Sequence, residues 1–110
     1  MKEGLIQRAI LDYLTIKGFL AWRNQAIPVP IRRGRNIVGL RRADPFTKGM
    51  PDIFCLINGR LYGLEVKNEK GKLSEDQVKW KDRIEKAGGV FLLVRSVDDL
   101  WKLEESIQEV

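Results

Sequence analysis

Two carboxylates and a lysine stand out in this chain as candidate catalytic residues. Asp52 and Glu65 lie in two apolar runs that flank an Asn58-Gly59 pair, the strongest short-range signal of a β-hairpin. A two-residue turn at that pair places Asp52 directly opposite Glu65, and Lys67 two residues further on the same face. Like charges about 5 Å apart destabilise a sheet. A divalent cation held between the two carboxylates would offset that repulsion and supply hydrolytic chemistry.

The hairpin alone also allows an interpretation without chemistry. Asp52 follows Pro51, a turn-forming residue, and Glu65-Val66-Lys67 has the composition of an ordinary solvated strand end. A β-bulge between the strands would also shift the register and separate the two carboxylates. Both interpretations stay open until the remaining elements are placed.

Composition limits the classes of function. A chain of 110 residues with 44% hydrophobic content is expected to form one domain, residues 1–110, with one core. It contains no histidine, which excludes the usual zinc sites and Ser-His-Asp triads. Its net charge of +5 favours a polyanionic partner. We expect no membrane span, a reduced core role for the single cysteine, Cys55, and a cytoplasmic location.

The first element is predicted to be a helix from about residue 2 to residue 17, ended by Gly18. Its buried stripe is formed by Ile6, Ala9, Ile10 and Tyr13, and it is widened by Leu5 and Leu14. Glu3 falls on the core-facing side of that helix, where a carboxylate is unexpected. The alternative is that Glu3 is exposed at a frayed N-terminus, where a negative charge suits the helix dipole.

A first strand is predicted over 19–26, followed by a basic loop at about 28–50. Within this loop 37–40 could form a short strand or one arm of a hairpin. Long loops in compact domains are often functional, and a basic one suits nucleic-acid phosphates; the alternative is a solvated surface loop. The candidate nucleic-acid-binding residues are Arg32, Arg33, Arg35, Arg41, Arg42 and Lys48.

The second half predicts a helix, a strand and a final helix. Ser74 and Gln77 form a capping-box pattern at the start of the first of these helices. The apolar run 90–94 is typical of a buried strand, and the strand–helix–strand connection predicts a parallel, right-handed crossover. A last helix is expected over 96–108. The fold class is therefore α/β: helix, strand, hairpin, helix, strand, helix, with a mixed central sheet and the hairpin strands at its centre.

With these elements placed, the chain resembles a known family. Pro51-Asp52 followed by Glu65-Val66-Lys67, with Glu3 in the preceding helix, is similar to the motif of PD-(D/E)XK nucleases, which have a restriction-endonuclease-like core. The segments 49–52, 71–77 and 87–89 narrow the resemblance to stand-alone VRR-NUC domains of phages and bacteria. The resemblance covers nearly the whole chain.

The resemblance implies a metal site and roles for its neighbours. Asp52 and Glu65 would bind Mg²⁺ or Mn²⁺ with the backbone carbonyl of Val66, and Glu3 would complete the acidic cluster directly or through water. By the same resemblance Lys67 would be catalytic and orient the attacking water.

Gln77 lies where the family carries a glutamine that faces the active site, so the resemblance makes it a catalytic residue too. That role competes with the capping box, because one side chain cannot easily do both.

The function implied is that of a metal-dependent, structure-selective DNA endonuclease that acts as a homodimer on branched DNA, with four-way (Holliday) junctions as the expected substrate. The close variant is a general nuclease or nickase. Two further hypotheses are a non-cleaving DNA-binding module on the same fold and a basic RNA-binding domain.

Overall fold

The computed structural model describes residues 2–24, 28–41 and 45–108. Its elements, in chain order, are α1 (Glu3–Ile16), β1 (Leu20–Arg23), β2 (Val29–Arg33), β3 (Asn36–Arg41), a 3₁₀ turn (Pro45–Thr47), β4 (Ile53–Ile57), β5 (Arg60–Val66), α2 (Glu75–Lys86), β6 (Val90–Val94), a second 3₁₀ turn (Val97–Leu100) and α3 (Trp101–Gln108).

The main sheet has four strands in the order β1-β4-β5-β6. β4 pairs antiparallel with β1 and with β5, while β5 pairs parallel with β6 through the crossover that contains α2. The mixed sheet with central hairpin strands that the sequence predicts is therefore confirmed. The final helix is confirmed as well, although its first turn is 3₁₀ rather than α-helical.

The β4–β5 turn has the predicted register, with Ile57 opposite Arg60. Asn58 and Gly59 both have positive φ, 52° and 79°. Two successive positive φ angles define a type I′ turn, whose twist matches that of the flanking strands. The choice of Asn and Gly at these positions thus fixes which side chains of the two strands face each other.

Apolar side chains cover both faces of the main sheet. The larger cluster lies on the side of α1 and α3, and the smaller one, built on Phe54, Ile84 and Phe91, lies under α2. Both faces of β4 are apolar and the strand lies at the centre of the sheet as expected, yet the side chain of Leu56 is 40% exposed. Leu56 pairs with the exposed Leu20 of β1, the edge strand, and neither residue belongs to the two apolar clusters.

The predicted basic loop is largely regular structure. β2 and β3 pair antiparallel as a separate two-stranded sheet, which we call the ribbon (residues 29–41). The pairing shifts register between Ile31 and Arg32, as at a β-bulge. Of the two structures expected for 37–40, an arm of a hairpin is the one found. Residues 42–44 and 25–27, including part of the first predicted strand, lie outside the described residues.

The helices begin and end close to the predicted residues. α1 carries its buried side chains at Ile6, Ile10 and Leu14, so the predicted buried stripe is wrong at Leu5 and Ala9, which are exposed. The helix is tied to α3 by a hydrogen bond from Tyr13 to Glu104. Cys55 is buried and unpaired, as expected of a core thiol. Within the described part of the chain, no helix combines the length and the apolar character needed to cross a membrane.

Candidate active site

The two carboxylates meet where the β4–β5 pairing stops. The last paired residues are Ile53 and Leu64, so Asp52 and Glu65 are the next residues on the two strands. Instead of continuing the ladder, Asp52 accepts a hydrogen bond through Oδ2 from the backbone N–H of Val66, at 2.8 Å. This bond places the Asp52 carboxylate beside the end of β5, as the register predicts.

Glu65 is the one buried charged residue in the described core, with 2% of its surface exposed. Burial raises the pKa of Glu65 to about 9, helped by a hydrogen bond that the protonated Glu65 carboxyl donates to the Asp52 carboxylate and by the negative charge of Asp52. Its Oε1 atom is buried and has no hydrogen-bond partner among the described residues. A buried carboxylate whose oxygen has no partner is energetically unfavourable, so binding of a proton or a cation stabilises it.

These observations fit a hard divalent cation. Two adjacent carboxylates and a buried oxygen without a partner form the oxygen-rich donor set that Mg²⁺ and Mn²⁺ prefer, and Mg²⁺ usually takes only one or two protein carboxylates and keeps several waters. Across residues 2–24, 28–41 and 45–108, three or more acidic, cysteine or histidine side chains do not converge into a ready-made metal cage. A cation here would therefore rest on the Asp52–Glu65 pair, backbone oxygens and water.

Lys67 and Glu3 lie close enough to Glu65 for their charges to act on it. The Lys67 ammonium lowers the pKa of Glu65, whereas the Glu3 carboxylate raises it, each less than burial and Asp52 do. Lys67 is half-buried at the end of β5, and Glu3 is the first residue of α1. The structure thus gathers Asp52, Glu65 and Lys67 at one sheet end and brings Glu3 near it, without drawing Glu3 into a three-carboxylate cluster.

Gln77 is engaged in the helix cap. Its Oε1 accepts a hydrogen bond from the backbone N–H of Ser74 at 2.8 Å, while the Ser74 hydroxyl oxygen accepts one from the backbone N–H of Gln77 at 3.2 Å. The capping box is therefore confirmed. An active-site role for Gln77 would use its free amide group or require the cap to open.

Two glycines hold the Asp52 segment in place. A Cβ on Gly63 would lie 2.8 Å from the ring of Pro51, so this ring packs directly on the backbone of β5. Gly49 has a φ of +87°, and a Cβ there would lie 2.6 Å from the backbone of Asp76 at the start of α2. The chain that leads to Asp52 is thus wedged between the sheet and α2, which limits how far the carboxylate can move.

Arg95 is a residue that sequence reasoning missed. Its Nη1 donates to the carbonyls of Asn68 and Gly71, at 2.6 and 2.9 Å, and so holds the turn that follows Lys67. A Cβ on Gly71 would lie 3.0 Å from the Cβ and Cδ atoms of Lys67, so this turn also packs on the lysine stem. Arg95 directly follows β6, the parallel neighbour of β5, and that adjacency of strand ends was the signal available in the sequence.

The basic residues divide into three groups. Arg32, Arg33, Arg35 and Arg41 lie on the exposed ribbon or its turn. Lys48 forms an exposed ion pair with Asp76, with 3.3 Å between Nζ and Oδ2. Arg42 lies outside the described residues.

Comparison with known proteins identifies the fold. No family model matches the sequence, and no curated protein matches it. A solved structure described as "VRR_NUC domain" is similar over 94% of this chain and 94% of its own, with a TM-score of 0.62 and 22% sequence identity. The chain therefore has the fold of a VRR_NUC domain, and the resemblance drawn from the sequence is confirmed at the level of the fold.

Proposed function

We propose that this protein is a nuclease that hydrolyses phosphodiester bonds in DNA with the help of Mg²⁺ or Mn²⁺. The observation that carries the proposal is the buried Glu65 carboxylate, paired with Asp52 and left with an unpartnered oxygen beside Lys67. Burying such a group is costly to a fold unless a bound charge compensates for it. The VRR_NUC fold supports the same activity, because the name of the similar structure denotes a nuclease domain.

Asp52 and Glu65 would hold the cation, with the backbone carbonyl of Val66 and, directly or through water, Glu3. When bound, the ion neutralises charge on the phosphoryl group and lowers the pKa of bound water. The N–H of Val66 keeps Asp52 oriented toward the site, since its bond to Oδ2 fixes that carboxylate. Two carboxylates so close together destabilise the sheet when no cation is present, but both would attract the bound cation.

Lys67 would act on the substrate side of the site. Its ammonium group donates hydrogen bonds and carries positive charge, so it can orient the attacking water or stabilise charge that develops on the scissile phosphate. The packing of Gly71 against its stem restricts the directions in which the ammonium can point. Gln77 is proposed as a further catalytic contact through its amide group.

Four-way junctions are the substrate class that we propose, with a homodimer as the active form. Resolving a symmetric junction takes two cuts, and a twofold dimer presents two equivalent active sites. The net charge of +5 supports a polyanionic substrate. This finer assignment rests on the resemblance of the sequence to stand-alone VRR-NUC domains.

Cleavage assays test the proposal directly. Labelled four-way junction, linear duplex, splayed arm and single strand would be incubated with Mg²⁺, Mn²⁺ or EDTA. Wild type would be compared with Asp52→Ala, Glu65→Ala and the matched control Glu69→Ala, which removes an exposed carboxylate four residues beyond Glu65. Symmetric nicks in the junction, lost in EDTA and in the two site variants but kept in the control, are expected.

Each remaining result has a defined meaning. Equal cutting of all four substrates would reduce the function to that of a general nuclease or nickase. DNA binding without cleavage by the wild type under either metal would establish a non-cleaving DNA-binding module. Cleavage that persists in Glu65→Ala would show that the site has been assigned to the wrong residues.

A further inference from the structure

The ribbon exposes aliphatic side chains to an unusual degree. Ile31, Ile37, Val38 and Leu40 are between 41% and 63% exposed, and none of them belongs to either hydrophobic cluster. Its strands pair with each other and not with the main sheet. An isolated two-stranded hairpin is marginally stable in water. Aliphatic groups grouped on such an element therefore point to a partner that covers them.

The charge of the ribbon indicates what that partner is. Its four arginines are Arg32, Arg33, Arg35 and Arg41, and the sequence from residue 28 to residue 41 contains no Asp or Glu. Elsewhere in the chain acidic and basic side chains are interspersed, as in the ion pairs along α2. A surface whose charged side chains are all basic and whose other side chains are mainly aliphatic is complementary to a DNA groove, which is lined by phosphates and by base edges with apolar groups.

A second copy of the same chain is a poorer occupant. Pro30 removes a backbone donor from β2, and the register shift after Ile31 distorts the strand, so edge-to-edge pairing with another ribbon is disfavoured. Ribbon-to-ribbon contact would also bring two sets of arginines together. These features protect the exposed edges against self-association while leaving the side chains available.

Short lengths of chain connect the ribbon to the strand end that carries Asp52. The chain enters the ribbon from Asn24, whose backbone N–H donates to the carbonyl of Asp52 at 2.8 Å. From Asn24 to Pro28 is four residues, a reach of at most about 14 Å for an extended chain. The chain then returns through the Pro45–Thr47 turn to Met50 and Pro51, next to Asp52. DNA held by the ribbon would consequently pass close to the site.

We propose that the ribbon enters the major groove of duplex DNA that flanks the scissile phosphate. The inference rests on the proposed function in taking DNA as the substrate. The major groove is about 12 Å wide and admits a two-stranded β-ribbon. In it the arginines bind phosphates and guanine edges, and the aliphatic side chains contact thymine methyl groups and base edges.

Binding measured in EDTA tests this without requiring cleavage. The charge variant is Arg32→Gln/Arg33→Gln/Arg35→Gln, and its control, Arg8→Gln/Lys79→Gln/Lys86→Gln, removes the same charge from exposed positions on α1 and α2. The aliphatic variant is Ile37→Ser/Leu40→Ser. Affinities for a linear duplex and a four-way junction would be measured over a range of salt concentrations, and protection of guanine N7, a major-groove atom, from methylation would be mapped.

We expect the charge variant to lower the magnitude of the slope of log K against log salt by about 2–3, at about 0.9 per phosphate contact. The aliphatic variant should bind at least about tenfold more weakly, because apolar contacts are lost, with an unchanged slope. Both variants should lose N7 protection, whereas the control keeps it. Thermal unfolding should be unchanged in all three, since the altered side chains are exposed.

The proposal is overturned if wild type does not bind DNA, if the charge variant and the control behave alike, or if N7 stays unprotected. It is also overturned if the ribbon variants turn a dimer into a monomer, measured by sedimentation without DNA, while each subunit binds DNA as before. That result would make a second copy the occupant. Groove binding without cleavage would support the ribbon and refute the nuclease, so the two proposals fail separately.

Discussion

The β4–β5 hairpin and the β2–β3 ribbon are built by similar local rules and have opposite environments. Each joins two antiparallel strands through a two-residue turn with positive φ, at Asn58-Gly59 in one and at Gly34 in the other. The hairpin buries a carboxylate, Glu65, inside a packed sheet, whereas the ribbon exposes aliphatic groups such as Leu40. The hairpin thus buries a charged side chain and the ribbon exposes apolar ones, and neither placement favours the stability of the fold.

The two elements also differ in how firmly the rest of the protein holds them. The hairpin pairs with β1 on one side and β6 on the other, and helices pack on both of its faces. The buried Glu65 side chain is therefore held rigidly. In the ribbon no third strand is present among the described residues. The strands that carry its exposed aliphatic side chains are therefore held only by their turn and by the hydrogen bonds between them. We interpret the first as a site for a small, hard ligand and the second as a surface for a large one.

The largest expected effect is that of replacing Glu65, which should change activity and stability in opposite directions. Glu65→Gln should reduce cleavage by at least about 10³-fold, because the amide cannot neutralise a cation or replace the ligand. The same variant should be more resistant to thermal unfolding at pH 8 in EDTA, because folding of the wild type at that pH requires Glu65 to take up a proton, whereas the amide is always neutral. Single-turnover cleavage and calorimetry measure the two effects. A variant that is inactive and also less stable would show that Glu65 serves the fold.

The next prediction compares matched leucines in the two elements. Leu64→Ala, in the completely buried centre of β5, should lower the free energy of unfolding by about 2–5 kcal/mol. Leu40→Ala, on the ribbon, should change it by less than about 0.5 kcal/mol. Urea unfolding of both variants measures this. Equal losses would mean that the ribbon packs on the body of the protein and is not a free arm.

The pH dependence of stability without metal follows from the raised pKa of Glu65. In the folded chain Glu65 holds its proton up to about pH 9, whereas the ordinary value is 4.5. The folded state thus binds more protons in that interval, and its contribution to stability, complete below pH 4.5, is lost as pH rises through about 9. Melting temperatures in EDTA should fall between pH 5 and pH 9. Glu65→Gln should flatten this dependence, and a wild-type curve as flat as that of the variant would contradict the burial argument.

The smallest effect concerns the turn that positions Lys67. Arg95→Ala removes both hydrogen bonds to the turn at 68–71, so we expect kcat to fall by about tenfold with KM nearly unchanged, because orientation rather than binding is lost. Arg95→Lys should restore part of kcat. A rise in KM with constant kcat would instead place Arg95 in contact with the DNA.

Much of the site follows from the sequence because its rules are local. The Asn58-Gly59 turn fixes the hairpin register, and that register brings Asp52 to Glu65. The Ser74–Gln77 capping box is equally local, and it forms as predicted. In each case residues a few positions apart determine the conformation, so no distant part of the chain has to be known.

Other features were decided only by the tertiary structure. That Asp52 bonds to the N–H of Val66, that Arg95 holds the turn after Lys67, and that Leu56 is exposed all depend on neighbours far away in sequence. The segment predicted as a basic loop forms a ribbon because β2 and β3, which are distinct strands, pair with each other even though Pro30 lacks a backbone N–H. The order of residues along the chain is enough to identify the ionisable side chains and the turns between neighbouring strands. Packing decided which of those charges lost their water, and loss of water is what turns a carboxylate pair into a site.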